Sequence, residues 1–214
     1  MNKIIDLVIQ KIPYDVFSHA ALINLIPGSK DRRYAMIKRA IASKEIIHLR
    51  KGLYCLAPKY RRYPLDLFEI AQKIYGPSYI SLESSLAYHG WIPEAVHTVT
   101  SVCVCRSKDF KTPVGNFSYR RVPLKIFYED VEAMGSAQRG IFLMARPLKA
   151  LADYVYLYRK EWEGLTSAMN SLRIDIESFQ SVPKKEFREL KKIYPSKRVC
   201  RFLGSIEKEL GGER

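Results

Sequence analysis

The feature that most constrains the fold of this chain is a change of pattern between residues 28 and 58. A Pro-Gly turn precedes a basic segment whose apolar residues recur at helical spacing, and two short apolar runs follow at 46–49 and 53–56. Gly52 lies between these runs and permits the positive φ of a tight hairpin. A helix followed by a basic hairpin is typical of the second half of a winged helix, a variant of the helix-turn-helix fold.

Two further helices are predicted ahead of the basic one. Residues 3–12 carry Ile and Val at helical spacing, and Pro13 ends the pattern. Ser18 is a suitable N-cap for a second helix that ends before the Pro-Gly turn. With a third helix over about 30–43, the sequence predicts a winged helix-turn-helix domain over residues 1–60.

The third helix is predicted to have an apolar back and a basic front. At about 100° per residue, Tyr34, Ile37 and Ile41 share one face, which we expect to pack on the first two helices. Long donors and small residues lie on the opposite face and its flanks. The residues expected to contact DNA are Lys30, Arg32, Arg33, Met36, Lys38, Arg39 and Ser43 on this helix, and Arg50 and Lys51 on the hairpin.

Each of these residue types suits a particular contact. Arg32 and Arg39 are predicted to read base edges, because Arg forms bidentate bonds with guanine, and Met36 suits a thymine methyl group. Arg33 and Lys38 flank this face and are predicted to lie on phosphates. A basic helix that only faces water is the alternative, but cations on the hairpin tip, which would reach phosphate or the minor groove, favour DNA.

Net charge supports a polyanionic partner. The chain has 214 residues and a net charge of +14, with 36 Lys and Arg against 22 Asp and Glu. Residues 1–62 hold 13 of these cations and 4 of the anions, which is a net charge of +9. This excess favours nucleic acid over a membrane surface, and with the predicted winged helix the expected partner is double-stranded DNA.

Targeting and membrane signals are not expected. Asp6 and Gln10 interrupt the apolar run at the N-terminus, which argues against a signal peptide. No run approaches the roughly 18 apolar residues of a membrane-spanning helix. We therefore expect a cytoplasmic protein with no membrane partner.

Beyond a basic junction at 59–64, the sequence predicts a mixed α/β domain over residues 64–214, so the fold class expected for the whole chain is α+β. The alternative for the junction is a charged linker that contacts nothing. A basic helix near 183–192 offers either a solvated face or a second DNA contact. Helices are predicted over 65–74, 83–89, 146–159, 166–172, 183–192 and 197–210, and strands over 79–82, 98–105, 117–122, 125–128 and 140–144.

Cysteine usage predicts neither a disulfide framework nor a metal site. The four cysteines are interpreted as reduced, small hydrophobic residues. Cys103 and Cys105 alternate with valines in one apolar run, which is typical of a strand.

The segment 79–89 contains serine and histidine residues that could belong to an enzyme active site. Ser85 and His89 are four residues apart and could touch on a helix, but no acidic residue is placed to complete a triad. The structural interpretation is that Ser78 or Ser81 caps this helix and that Tyr88 and Trp91 pack in the core.

A second possible signal for catalysis is also incomplete. Gly28-Ser29 and Gly135-Ser136 each resemble the opening of a nucleotidyltransferase motif. Asp130 and Glu132 are isolated from them, so no carboxylate pair is placed to hold magnesium. We expect no catalytic residue, no metal and no cofactor.

Four segments resemble one family. The runs 49–54, 77–94, 110–119 and 145–153 are similar to AbiEi-type antitoxins, the transcriptional-regulator component of bacterial abortive-infection toxin–antitoxin pairs. The resemblance covers roughly residues 15–160. Its most specific part is 77–94, Pro-Ser-Tyr-Ile-Ser-Leu-Glu-Ser-Ser-Leu-Ala-Tyr-His-Gly-Trp-Ile-Pro-Glu.

The resemblance implies a winged-helix domain that binds inverted repeats in its own promoter and represses its operon. It also implies a C-terminal antitoxin domain, whose functional partner is a nucleotidyltransferase-like toxin that it opposes without a tight direct complex. Two alternatives remain. One is a protein-interaction module with a vestigial winged helix, and the other is an enzyme that acts on nucleic acid or nucleotides through residues 79–89.

Overall fold

Local capping signals set the first helices. The computed structural model describes residues 3–125, 127–136 and 140–212. The Ser18 hydroxyl accepts a hydrogen bond from the Ala21 N–H at 3.1 Å, as its predicted N-cap role requires. The elements of this first part are α1 (Lys3–Lys11), β1 (Val16–Ser18), α2 (His19–Leu25), α3 (Lys30–Ala42), β2 (Ile46–Arg50) and β3 (Leu53–Leu56).

These three helices pack on a small antiparallel sheet of order β1-β3-β2. Ile4, Leu22 and Ile37 contribute one residue from each helix to a core in which all three are buried. The hairpin β2–β3 and the three helices agree with the sequence prediction. Strand β1 was not predicted, because three residues are too few to show an alternating pattern.

The rest of the described chain is a mixture of helices and strands. A 3₁₀ turn at Pro58–Tyr60 leads into it. Its elements are α4 (Leu67–Ile74), β4 (Ser78–Ile80), α5 (Leu82–Tyr88), β5 (Thr98–Cys103), β6 (Lys108–Thr112), β7 (Gly115–Arg121), β8 (Val131–Ser136), β9 (Gly140–Ala145), α6 (Pro147–Leu157), α7 (Gly164–Leu172), α8 (Ile176–Gln180), α9 (Lys184–Ile193) and α10 (Lys197–Gly212).

A mixed sheet of order β6-β7-β5-β4-β9-β8 organises this part, and the fold is α+β. The pairs β5–β7 and β4–β9 are parallel, and the other three pairs are antiparallel. Both faces of the sheet are covered. Ile80 lies in the apolar cluster that contains α4, whereas its neighbour Tyr79 lies in the cluster that contains α5, α6, α9 and α10.

One apolar cluster joins the small sheet to the large one. Leu49, Leu53 and Cys55 of the hairpin pack in the same cluster as Ile70 and Ile74 of α4. α4 also packs against β4, β5 and β9 of the large sheet. The hairpin is therefore held against the second part of the chain along its apolar face.

The basic junction is also attached to the first part. The Arg62 guanidinium bonds to the Asp15 carboxylate at 3.0 Å and to the Ile12 carbonyl at 2.9 Å. Arg61 donates to the Leu56 carbonyl at 2.7 Å. The alternative that this segment is a linker that contacts nothing is wrong.

Several sequence predictions of the second part need correction. Strands β6 and β8 and helix α8 were missed, because their side chains are largely exposed or the element is a single turn. A strand was predicted over 125–128, but residues 127–130 form turns and residue 126 lies outside the described residues. Strand β5 ends at Cys103, two residues before the predicted end, so Cys105 lies beyond it.

Within the ranges that the structure describes, no helix has the length and apolar character needed to cross a membrane.

We predict that Ile70→Ala destabilises the small sheet and the large one together. Ile70 is fully buried in the cluster that they share, so removing most of its side chain lowers the free energy of unfolding by about 2–5 kcal/mol. Urea unfolding followed by far-UV circular dichroism and by tryptophan fluorescence measures this change, and the two signals should give one coincident transition.

Ile141→Ala is the matched control, because the Ile141 side chain is 60% exposed and its loss changes the free energy of unfolding by no more than about 0.5 kcal/mol. Equal effects of the two substitutions would contradict the shared core.

Candidate nucleic-acid interface

Helix α3 is fixed at both ends by serine side chains. The Ser29 hydroxyl accepts from the Arg32 N–H at 3.4 Å at the N-terminus. At the other end, the Ser43 hydroxyl donates to the Arg39 carbonyl at 3.0 Å and bonds to the Glu45 carboxylate, also at 3.0 Å. Ser43 is exposed as predicted, but its hydroxyl already has partners within the chain.

The buried face of α3 differs from the predicted one. Ile37 and Ala40 are buried, and Ile41 is half-buried, but Tyr34 is 66% exposed. The centre of the buried face is therefore rotated by roughly 60° from the predicted centre, towards Ala40. The small Ala40 side chain permits close packing, whereas Tyr34 keeps its hydroxyl in water.

This rotation separates the predicted contact residues into two groups. Met36 was placed on the open front, but it is half-buried and packs against the first core. Arg33 is half-buried as well, and its Nε is buried without a hydrogen-bond partner among the described residues. The exposed cations of the helix are Lys30, Arg32, Lys38 and Arg39.

These four exposed cations take part in none of the ion pairs formed within the described part of the chain. The first turn also contains Asp31, which is the acidic residue nearest to them along the helix. α3 consequently presents a positive surface with free donors.

The hairpin carries one free cation and one that is partly enclosed. Gly52 has a φ of 81°, which the predicted tight turn requires, and Lys51 beside it is exposed. Arg50 is half-buried, and its Nε has no hydrogen-bond partner among the described residues. Burial raises the pKa of Tyr119 in β7, and the charge of Arg50 opposes this rise, so Arg50 lies beside the large sheet. The expectation that both cations reach outward from the tip is met by Lys51 alone.

The basic helix α9 is less available than its sequence suggests. Arg188 and Lys191 both pair with Glu207 of α10, at 3.2 Å and 2.6 Å. The side chains of these ion pairs hold the two helices together, so this surface has fewer free cations than α3.

The segment 79–89 does not form a serine–histidine pair. The Ser85 hydroxyl is buried and donates to the Ala145 carbonyl at 2.7 Å. Burial lowers the pKa of His89, although a hydrogen bond to the backbone of Ala145 partly opposes this by raising it. Of the two aromatic residues expected in the core, Trp91 is buried, but Tyr88 is 48% exposed.

A buried polar network that the sequence did not reveal lies beneath this segment. The Asp153 carboxylate accepts from the hydroxyls of Tyr79 at 3.0 Å, Ser81 at 2.8 Å and Tyr194 at 2.6 Å. Ser81 occupies the N-cap position of α5, but its hydroxyl serves Asp153 instead. A charged residue within the apolar stripe of α6 was the available signal, since buried charge requires partners.

Lys149, one turn before Asp153, is fully buried, and its Nζ has no hydrogen-bond partner among the described residues. It lies over the rings of Tyr79 and Tyr194, at 5.1 and 5.6 Å from their centroids. Burial lowers its pKa, and the negative charge of Asp153 opposes this. The network has a structural role, because its members are enclosed by the core.

The acidic residues after β7 are not isolated, contrary to expectation. Carboxylate oxygens of Glu129, Asp130 and Glu189 lie within 4.8 Å of one another. Burial raises the pKa of Asp130, and the positive charge of Arg146 partly opposes this by lowering it. Neighbouring cations thus already offset part of this negative charge.

Comparison of the sequence with models of known protein families gives no match, and comparison with curated proteins gives none. The function is therefore inferred from the geometry and the charge of the described residues.

The acidic region generates a prediction for the pH dependence of stability. Burial raises the pKa of Glu186 from 4.5 to about 7, and the charge of Asp130 adds to this rise. The folded state thus holds this proton more tightly than the unfolded state. Its contribution to the free energy of unfolding is complete below pH 4.5 and is lost as the pH rises through 7.

Glu186→Gln should remove this fall in the free energy of unfolding, which amounts to at most about 3 kcal/mol between low and high pH. Urea unfolding at pH values from 4 to 8 measures it, with Glu177→Gln, at an exposed site, as the control. If Glu186→Gln leaves the pH profile of the wild type unchanged, the buried carboxyl is not its source.

Proposed function

We propose that this chain is a sequence-specific DNA-binding repressor whose first part is a winged helix. The order of elements α1-β1-α2-α3-β2-β3 and a sheet of order β1-β3-β2 support this proposal. In this interpretation α3 enters the major groove, and the hairpin is the wing.

The observation that carries the proposal is the set of exposed cations on α3 that form no ion pair with a described residue, next to a hairpin that exposes Lys51. Arg32 and Arg39 are long enough to reach base edges, and Lys38 suits a flanking phosphate. Lys51 would hold the backbone or the minor groove beside α3. Met36 contributes less than its sequence position suggests, because it is half-buried and packs against the first core.

The resemblance to AbiEi-type antitoxins adds a biological role to the proposed DNA binding. The repressor would bind inverted repeats in its own promoter, and the second part of the chain would oppose a nucleotidyltransferase-like toxin in the cytoplasm without a tight direct complex. What supports this extension is the resemblance of the segment 77–94, which contains β4 and α5 and the buried Trp91 after them. Co-expression with such a toxin from the same operon tests it, with rescue of growth as the expected result.

Base reading by α3 is tested with Arg39→Ala. If Arg39 binds a base edge, its loss costs about 1–3 kcal/mol in affinity for the specific duplex and little for random duplex. Fluorescence anisotropy titrations with DNA from upstream of the gene and with random DNA measure both affinities.

Lys51→Ala is the contrasting variant, because a phosphate contact carries no sequence information. It should weaken binding to both duplexes about equally and reduce the slope of log K against log salt by about 1. Equal losses on both duplexes in Arg39→Ala would reject its role in base reading.

A further inference from the structure

A small cavity opens between α2 and α3, next to the proposed DNA-reading surface. Its volume is about 160 Å³, and Ile23 of α2 and Ile37 of α3 form its apolar floor. His19, Lys30, Arg33 and Tyr34 surround it, and we call it the α2–α3 cavity. It is too small for a base pair, but a single sugar and its phosphate group can enter.

The aromatic wall of this cavity is largely open to water. Tyr34 has the most exposed fraction, 66%, among the large hydrophobic side chains that are exposed in the described chain. A ligand with an apolar face would therefore bury surface of Tyr34 and of the half-buried Ile23, whereas Ile37 beneath them is already buried.

Hydrogen-bond donors stand at the rim. Arg33 Nε is buried and has no partner among the described residues, and Lys30 is exposed and belongs to none of their ion pairs. Asp31 also lines the cavity, so one negative charge stands against two permanent positive ones. The balance favours an anion.

His19 supplies a third donor. Its Nδ1 lies 3.4 Å from the Tyr54 hydroxyl. Where Nδ1 accepts from this hydroxyl, the ring proton is on Nε2, which can then donate to a ligand.

We propose that the α2–α3 cavity holds one sugar–phosphate unit of the DNA backbone. The deoxyribose packs against Tyr34 and the apolar floor, and the phosphate oxygens accept from His19, Lys30 and Arg33. This inference rests on the proposed DNA-binding function and adds a defined anchoring point to it. Because α3 forms one wall of the cavity, the anchored phosphate sets how deeply α3 enters the groove.

The experiment uses duplexes from upstream of the gene in which one phosphate at a time is replaced by an uncharged methylphosphonate. For the full-length wild type, we expect one position at which the replacement weakens binding about tenfold or more, beyond the smaller losses elsewhere. Arg33→Gln should bind the unmodified duplex about tenfold more weakly and should lose its sensitivity at that position alone, as a double-mutant cycle requires.

Tyr34→Ala tests the apolar wall and should weaken binding about fivefold, whereas Tyr34→Phe, which keeps the ring, should bind like the wild type. Lys192→Gln, which removes an exposed lysine on α9, is the charge-matched control for Arg33→Gln and should leave the positional pattern unchanged. Thermal unfolding of each variant confirms that it is folded.

The outcomes distinguish this inference from the proposed function. If the wild type binds the duplex specifically but no position couples to Arg33, or if Tyr34→Ala binds like the wild type, the anchoring site is wrong and DNA binding stands. If the wild type does not prefer the duplex over random DNA, both are overturned.

Discussion

The apolar cluster that the small sheet, α4 and the large sheet share is the constraint on which the rest of the structure depends. α4 packs against the large sheet, and the apolar face of the hairpin β2–β3 lies in the same cluster as the buried residues of α4. The small sheet has only three strands and would expose that face in isolation. The hairpin therefore has a fixed position relative to the large sheet, and Arg50 is partly enclosed between them.

The distribution of paired and unpaired charges follows from the same arrangement. Away from α3, ion pairs such as Arg120–Asp109 and Arg173–Glu94 neutralise many surface cations. On α3 the exposed cations have no such partners, and residues 1–62 carry a net charge of +9. Self-repulsion of this kind costs stability until a polyanion binds, so these cations favour the proposed DNA partner.

Local patterns predicted most of the first part of the chain. The three helices and the hairpin follow from apolar periodicity, the serine cap Ser18 and the glycine at position 52, which all act within a few residues. Exposed strands such as β6 and β8 lack the alternating pattern that burial of one face imposes. Their places in the sheet are fixed by hydrogen bonds to β7 and β9 that no local signal records.

The candidate site was predictable in composition but not in detail. Periodicity identified the basic helix, yet it placed Tyr34 in the core. Helical spacing shows which residues share a face, but not that the small Ala40 packs closely against the core where the large Tyr34 does not. The partners of Asp153 come from three separate segments of the chain, so spacing along the sequence could not bring them together.

A competition titration tests the central claim most directly. The full-length protein is titrated against labelled DNA from upstream of its gene, with excess random DNA present, at two salt concentrations. We expect a complex that resists the competitor, with a Kd in the range of about 10⁻⁸–10⁻¹¹ M and an affinity that falls steeply as salt is raised. Binding that random DNA abolishes at both salt concentrations would contradict sequence-specific recognition by α3.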